Sequence, residues 1–183
     1  VITLEQLHWL IAPRPRNTLV DELYPHMEAA FEEFEINTPL RQAHFIAQTA
    51  WETDRYCALT EYASGDDYDS RVDLGNTPAR DGDGRLYKGR GIMMLTGKAN
   101  VGACSEALFG DRRVLLEDPY LLSDDFETAV RSGAWFWWAN GLNRFADADD
   151  IVKLTRKING GRNGLAGRQM YYERAAYAYG LQS

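Results

Sequence analysis

The chain has 183 residues, 45% of them hydrophobic and 12% aromatic, and a formal net charge of −7. That is enough chain to bury a real core in one domain, and the acidic balance argues against a nucleic-acid-binding surface or a polybasic membrane contact. No run approaches the roughly eighteen apolar residues of a membrane span; with only Cys57 and Cys104 a disulfide scaffold is excluded, and the two are expected as buried free thiols, with a single bridge as the alternative.

In chain order, Thr3 and Gln6 form a capping-box signature ahead of Leu4, Leu7, Leu10 and Ile11, and Pro13 and Pro15 stop that helix. The start lacks a basic segment and a small-residue cleavage site, so it does not read as a secretory signal. From Thr18 to Glu35, Leu23, Met27, Ala30, Phe31 and Phe34 follow helical spacing, with Pro25 as a break. Thr38 and Pro39 supply an N-cap and a first-turn proline for a third helix. One face of it carries Leu40, Ala43, Ala47, Ala50 and Trp51; on another, His44, Gln48 and Glu52 recur every four residues as a polar stripe. Phe45 and Ile46 flank that stripe, so the helix is covered on most sides. A polar stripe on a covered helix faces either a cleft or a buried polar network.

Residues 62–91 change character. They are rich in Gly, Asp and Asn and predict loops, with a short hairpin around Asp81 to Gly84. So long a segment without helical period is usually functional when it sits inside a compact domain. Helices return over Lys98–Phe109, from near Ser123 through Trp135 to Trp138, after Asp147, and after Asn163. There is no repeat, linker or low-complexity tract. The expectation is an all-α, mainly helical single domain over residues 1–183. The five Trp and ten Tyr either pack its core or line a cleft, where rings stack on sugar faces.

Glu52 is the costliest residue in this pattern. A carboxylate among Phe45, Ile46, Ala47, Ala50 and Trp51 must be paired, hydrogen-bonded or protonated. Glu61 follows nine positions later. Nine residues of regular helix turn through about 900°, half a turn out of phase, so the chain must bend between the two, near Asp54 to Tyr56. Two carboxylates in different environments are the minimum equipment for breaking a glycosidic bond; inversion needs roughly 6.5–9.5 Å between them. Simple ion pairs with Arg41, Arg55 or Lys98 are the plainer alternative. Downstream, Lys88-Gly89-Arg90-Gly91 lets backbone approach a ligand and leads to Thr96, whose hydroxyl can hold a water. Asn159, before Gly160-Gly161, either belongs to a helix-ending turn or bonds sugar hydroxyls or amides. The loop aspartates do not fit a calcium loop. No phosphate-binding loop and no Ser-His-Asp or Cys-His arrangement is readable. No metal and no cofactor is expected.

Taken together, these motifs resemble family-19 glycoside hydrolases, in particular the lysozyme-like branch of phage and prophage endolysins. The matching stretches are AHFIAQTAWET (43–53), LTEYASGDDYDSR (59–71), DLGNT (73–77), DGDGRLYKGRGIMMLTGKAN (81–100), GAWFWWANGLN (133–143) and TRKINGGRNGLAGRQMYYERA (155–175), in family order. The resemblance implies a lysozyme-like, two-lobed helical fold that hydrolyses a β-1,4-linked amino-sugar polymer with inversion. It places Glu52 as general acid, kept protonated by its covered helix, and Glu61 as general base, with Thr96 positioning the attacking water. It places Gln48, Tyr87, Arg90, Asn159 and Arg168 as substrate-binding or supporting residues. The chain departs from the family at Trp51 (His), at Asp54-Arg55 (Gly-Gly follows shortly in the family), at Met94 (Gln) and at Val101 (aromatic).

On that resemblance the leading expectation is a muramidase, a peptidoglycan hydrolase cutting between N-acetylmuramic acid and N-acetylglucosamine. It is expected to act as a monomer on glycan strands, with no nucleic acid, no membrane insertion and no separate wall-binding module. It would be made in a bacterial cytoplasm and act in the periplasm or wall after release; as an injected effector it would have an immunity protein as partner. A chitinase is the second enzyme reading, and a non-catalytic glycan-binding protein of the same fold is the third.

Overall fold

The structure, a computed structural model, describes residues 1–181. Among them the α-helices are α1 (Leu4–Leu10), α2 (Val20–Leu23), α3 (Met27–Glu33), α4 (Pro39–Glu52), α5 (Asp83–Leu86), α6 (Lys98–Phe109), α7 (Arg113–Glu117), α8 (Leu121–Asp124), α9 (Phe126–Ala139), α10 (Asn143–Asp147), α11 (Ile151–Asn159) and α12 (Leu165–Ala178). Single 3₁₀ turns lie at Tyr24–His26, Asp66–Tyr68 and Val72–Leu74. No strand forms among these residues; two isolated bridges, Thr60 with Arg90 and Arg90 with Leu95, tie the loops together. The fold is all-α, as the periodicity predicts.

Local chemistry explains where the helices start. Both halves of the Thr3–Gln6 capping box are made. The Thr38 hydroxyl accepts from the Arg41 N–H at 3.2 Å, with Pro39 in the first turn. Asp125 accepts from the Thr128 N–H at 2.7 Å to start α9, and Asp150 from the Lys153 N–H at 2.8 Å to start α11. Each such cap supplies a partner for an N–H that the first turn leaves orphaned.

α4 is the axis of the domain. Every residue from Gln42 to Ala50 is buried. Phe45 meets Phe31 and Trp137 edge-on, each with ring centroids 5.3 Å apart. Burying each such ring stabilises the fold by roughly 2–3 kcal/mol. α4 packs most extensively on α12, which also lies against α1 and α11. The polar stripe faces this seam. His44 is fully buried, stacks on Tyr172 at 4.1 Å, and meets Asp149 Oδ1 through Nε2 at 2.8 Å. Tyr172 donates to the same Asp149 oxygen.

Three expectations need correction. The hairpin at Asp81 to Gly84 is absent. The Asp69 carboxylate accepts from the N–H groups of Gly82 (3.0 Å) and Gly84 (2.9 Å), and α5 begins at once. Trp51 does not lie on the buried face of α4; it is 41% exposed. The ion-pair partners proposed for Glu52 and Glu61 are engaged elsewhere: Arg41 with Asp147, Arg55 with Asp54, and Lys98 with Asp83. Cys57 and Cys104 are both free.

Candidate active site

The bend demanded by the Glu52–Glu61 spacing is present. Asp54, Arg55 and Tyr56 take φ of 45°, 63° and 61°. Left-handed backbone costs a non-glycine residue about 1–2 kcal/mol, so something must hold this turn. The Leu19 N–H donates to the Tyr56 carbonyl and the Thr18 hydroxyl to the Arg55 carbonyl, both at 2.8 Å. The Tyr56 N–H donates to Thr53 Oγ1 at 2.9 Å, and the buried Tyr56 hydroxyl pairs with Thr49 Oγ1 at 2.9 Å. The chain therefore leaves α4 sharply and delivers Glu61 to the same cleft as Glu52.

That cleft holds about 470 Å³. The ends of α4 and α11 supply Glu52, Ile158 and Asn159. The loops supply Glu61, Tyr62, Tyr68, Arg71, Met94 and Thr96, among others.

Glu52 is held by helices. Arg168, one turn into α12 and 2% exposed, donates through Nη2 to Glu52 Oε1 and through Nη1 to Gln48 Oε1, each at 2.5 Å. Gln48 Nε2 reaches Thr155 Oγ1 at 3.4 Å. The polar stripe is thus a buried network ending in a carboxylate at the cleft. The picture of an acid enclosed by apolar groups needs correction: the Glu52 side chain keeps 18% exposure and faces a guanidinium.

Glu61 is held by loops. Tyr68 donates its hydroxyl to Oε1 at 2.9 Å, and the Gly89 N–H donates to Oε2 at 3.1 Å. Burial, and then the Glu61 carboxylate, raise the Tyr68 phenol above its ordinary range, so it stays a donor. The Glu61 N–H returns a bond to the Gly89 carbonyl at 2.8 Å. A side chain on Gly89 would meet Met94 Cβ at 3.2 Å and both Glu61 Oε2 and Thr96 Oγ1 at 3.3 Å. The two oxygens therefore flank one spot, and glycine leaves it clear. Thr96 donates its own hydroxyl to the Met94 carbonyl at 2.9 Å, which leaves its lone pairs for the cleft.

Of the residues predicted for the site, Glu52, Glu61, Thr96 and Asn159 come together on the cleft. Asn159 is braced by its own bond to the Asn163 carbonyl at 2.8 Å. Arg168 and Gln48 sit behind Glu52 and support it; Gln48 is fully buried and does not line the cleft. Tyr87 and Arg90 do not line the cleft either. Tyr87 is buried and donates to the Leu116 carbonyl at 3.0 Å. Arg90 is buried under Tyr120, 4.7 Å from the ring centroid, and donates to the Leu86 carbonyl at 2.5 Å. The Tyr87 hydroxyl and Arg90 Nη1 both point into backbone rather than the cleft. Sequence reasoning missed Tyr68, Tyr62 and Arg71. Only their position in the Gly- and Asp-rich segment after Glu61 signals them. Among the described residues no group of His, Cys, Asp and Glu could hold a metal ion.

No family model matches the chain. Over 99 residues it is 34% identical to a glycosyl hydrolase family 19 domain-containing protein of Haemophilus influenzae, covering 54% of this chain and 46% of that one. Over 136 residues it is 30% identical to basic endochitinase CHB4 of Brassica napus, covering 72% and 48%. The chain spans about half the length of these relatives. Its fold matches chitinase C from Streptomyces griseus with a TM-score of 0.73 at 20% identity, covering 98% of this chain and 76% of that one. It matches the family-19 class IV chitinase of Zea mays with a TM-score of 0.72 at 20% identity, covering 94% and 90%. The chain is related in sequence to family-19 glycoside hydrolases, and its fold is the lysozyme-like fold of family-19 chitinases.

Proposed function

We propose that the chain is a glycoside hydrolase that opens the β-1,4 bond of an amino-sugar polymer with inversion, and that the polymer is peptidoglycan. The observation that carries the chemistry is the meeting of Glu52 and Glu61 on one cleft, each held by different partners. In this reading Glu61, its oxygens fixed by Tyr68 and Gly89, takes a proton from a water beside Thr96. The water attacks the anomeric carbon on the face away from the leaving group. Glu52 gives its proton to the leaving oxygen, and Arg168 stabilises the carboxylate that this leaves behind. Proton exchange with solvent then resets both groups.

The preference for peptidoglycan rests on the motifs from residue 43 onward, which resemble the endolysin branch. Chitin is the second reading, favoured by the chitinases among the sequence and structural relatives. Incubation with purified peptidoglycan and with chitin, followed by mass spectrometry of soluble products, separates them. New reducing ends at N-acetylmuramic acid are expected. Chito-oligomers alone would move the substrate to chitin, and no product from either would overturn the hydrolase. Glu52→Gln should lower the rate by about 100- to 10,000-fold with the fold intact; a near-wild-type rate would remove Glu52 from its role.

A further inference from the structure

Trp51 immediately precedes Glu52, yet it is 41% exposed. Its indole lies across the first turns of α12. A Cβ on Gly164 would fall 2.2–2.6 Å from Nε1, Cε2 and Cζ2, and one on Gly167 2.0–2.9 Å from Cζ3, Cε3 and Cη2. Six ring atoms spanning both rings therefore rest on two glycines. Gly164 has φ of +71° and suits glycine for its backbone alone. Gly167 has no such reason. It is an ordinary helical residue, where glycine is less favourable than alanine. The gain is a flat bed for the indole. The ring is thus seated on backbone while the residue as a whole stays 41% exposed.

The ring does not itself line the cleft, but its neighbour Glu52 does, and its bed connects to the cleft wall. Asn159 lines the cleft and bonds the Asn163 carbonyl, and the next residue, Gly164, is half of the bed. Asp54 and Tyr171 border a groove of about 260 Å³ beside Trp51. Asp54 is exposed and offers acceptors next to the ring. A β-linked amino-sugar pyranose presents flat faces of axial C–H groups, and these suit a broad aromatic face with a polar group at its edge.

We propose that Trp51 is a sugar-stacking platform that binds a pyranose ring of the glycan strand beyond the reacting bond, on the side of the Asn159 wall. This rests on the glycan-hydrolase reading above, and its test is separable from that reading. The plain alternative is that Trp51 only braces α12 and so positions Arg168.

The experiment measures kcat and KM of wild type, Trp51→Ala and Trp51→Phe on soluble glycan strands from peptidoglycan, alongside retention of Glu52→Gln and Glu52→Gln/Trp51→Ala on insoluble peptidoglycan and chitin. The platform predicts that Trp51→Ala raises KM about tenfold, with kcat within about twofold, and that Trp51→Phe recovers much of the loss. Retention of the double variant should weaken by a similar factor. A fall in kcat at unchanged KM assigns the bracing role and overturns the platform. Unchanged KM and retention overturn it while the hydrolase reading stands. Trp51-dependent retention without any hydrolysis keeps the platform and removes the hydrolase.

Discussion

The two walls of the cleft hold their carboxylates by opposite means. Glu52 ends the most buried helix of the domain, and its partner Arg168 comes from the helix packed most tightly against it. The register of α4 on α12 sets that geometry, and many apolar contacts hold the register. Glu61 sits in a region without long helices, and what fixes it is one phenol, one backbone N–H, the return bond to Gly89 and the Lys88 ammonium on its carbonyl. The acid wall therefore couples chemistry to global stability. The base wall couples chemistry to a few local hydrogen bonds, each worth about 1 kcal/mol.

The sharpest way to break this contrast is at Arg168. Arg168→Met strands Glu52 and Gln48 without their donor, and breaking a buried pair typically costs about 3–5 kcal/mol. At this chain length that lowers Tm by roughly 10 °C. Adding Glu52→Gln should return part of the loss, because the carboxyl left without its donor is gone. Thermal denaturation of the two singles and the double measures this directly, and a purely additive cycle would show that the two walls are not held differently after all.

On the base wall the same logic predicts lost activity with a nearly intact fold. Gly89→Ala puts a methyl against Glu61 Oε2, Thr96 Oγ1 and Met94. It should cut kcat tenfold or more, in the sense of roughly 1.4 kcal/mol per decade, while Tm moves by only a few degrees. Tyr68→Phe removes one of the two donors to the Glu61 carboxylate and should cost about 1 kcal/mol or less in stability, with a several-fold loss of kcat. Paired melting curves and initial rates decide both. If either variant melted as early as Arg168→Met, Glu61 would be part of the stability core and the contrast would fail.

The sequence made one wall more legible than the other, for the same reason. Capping placed the start of α4 at Thr38 and Pro39, and the sequence pattern placed α6 over Lys98–Phe109, as observed. The nine-residue spacing required a bend, and the bend falls at Asp54 to Tyr56. What was illegible is the partner of Glu52. Arg168 is 116 positions away, and neither periodicity nor spacing selects it over Arg41, Arg55 or Lys98; only the resemblance pointed there. On the base wall, Tyr87 and Arg90 stand beside glycines in a motif that points to ligand, but their side chains turn inward to the Leu116 and Leu86 carbonyls. In a loop without a period, sequence position does not say which way a side chain points. Tyr68 was overlooked for that reason.

The smallest expected effect tests whether the coupling on the acid wall extends back along α4. His44 lies two turns before Glu52 on the same stripe, buried between Tyr172 and Asp149. Burial pushes its pKa below the ordinary histidine value, and the bond and charge of Asp149 only partly oppose that. With the folded value below the unfolded one, the unfolded chain takes up the proton first as pH falls. The stability due to neutral His44 is therefore fully present above about pH 6.5 and is lost progressively as pH drops toward the depressed folded value. Urea unfolding at closely spaced pH values should show wild type losing stability just below pH 6.5 more steeply than His44→Gln. Because Gln48 and Arg168 follow His44 along the same seam, the activity of wild type should lose thermal tolerance over that same window. Equal slopes for the two proteins would mean that Asp149 just offsets burial at His44 and that His44 lends the fold no pH dependence.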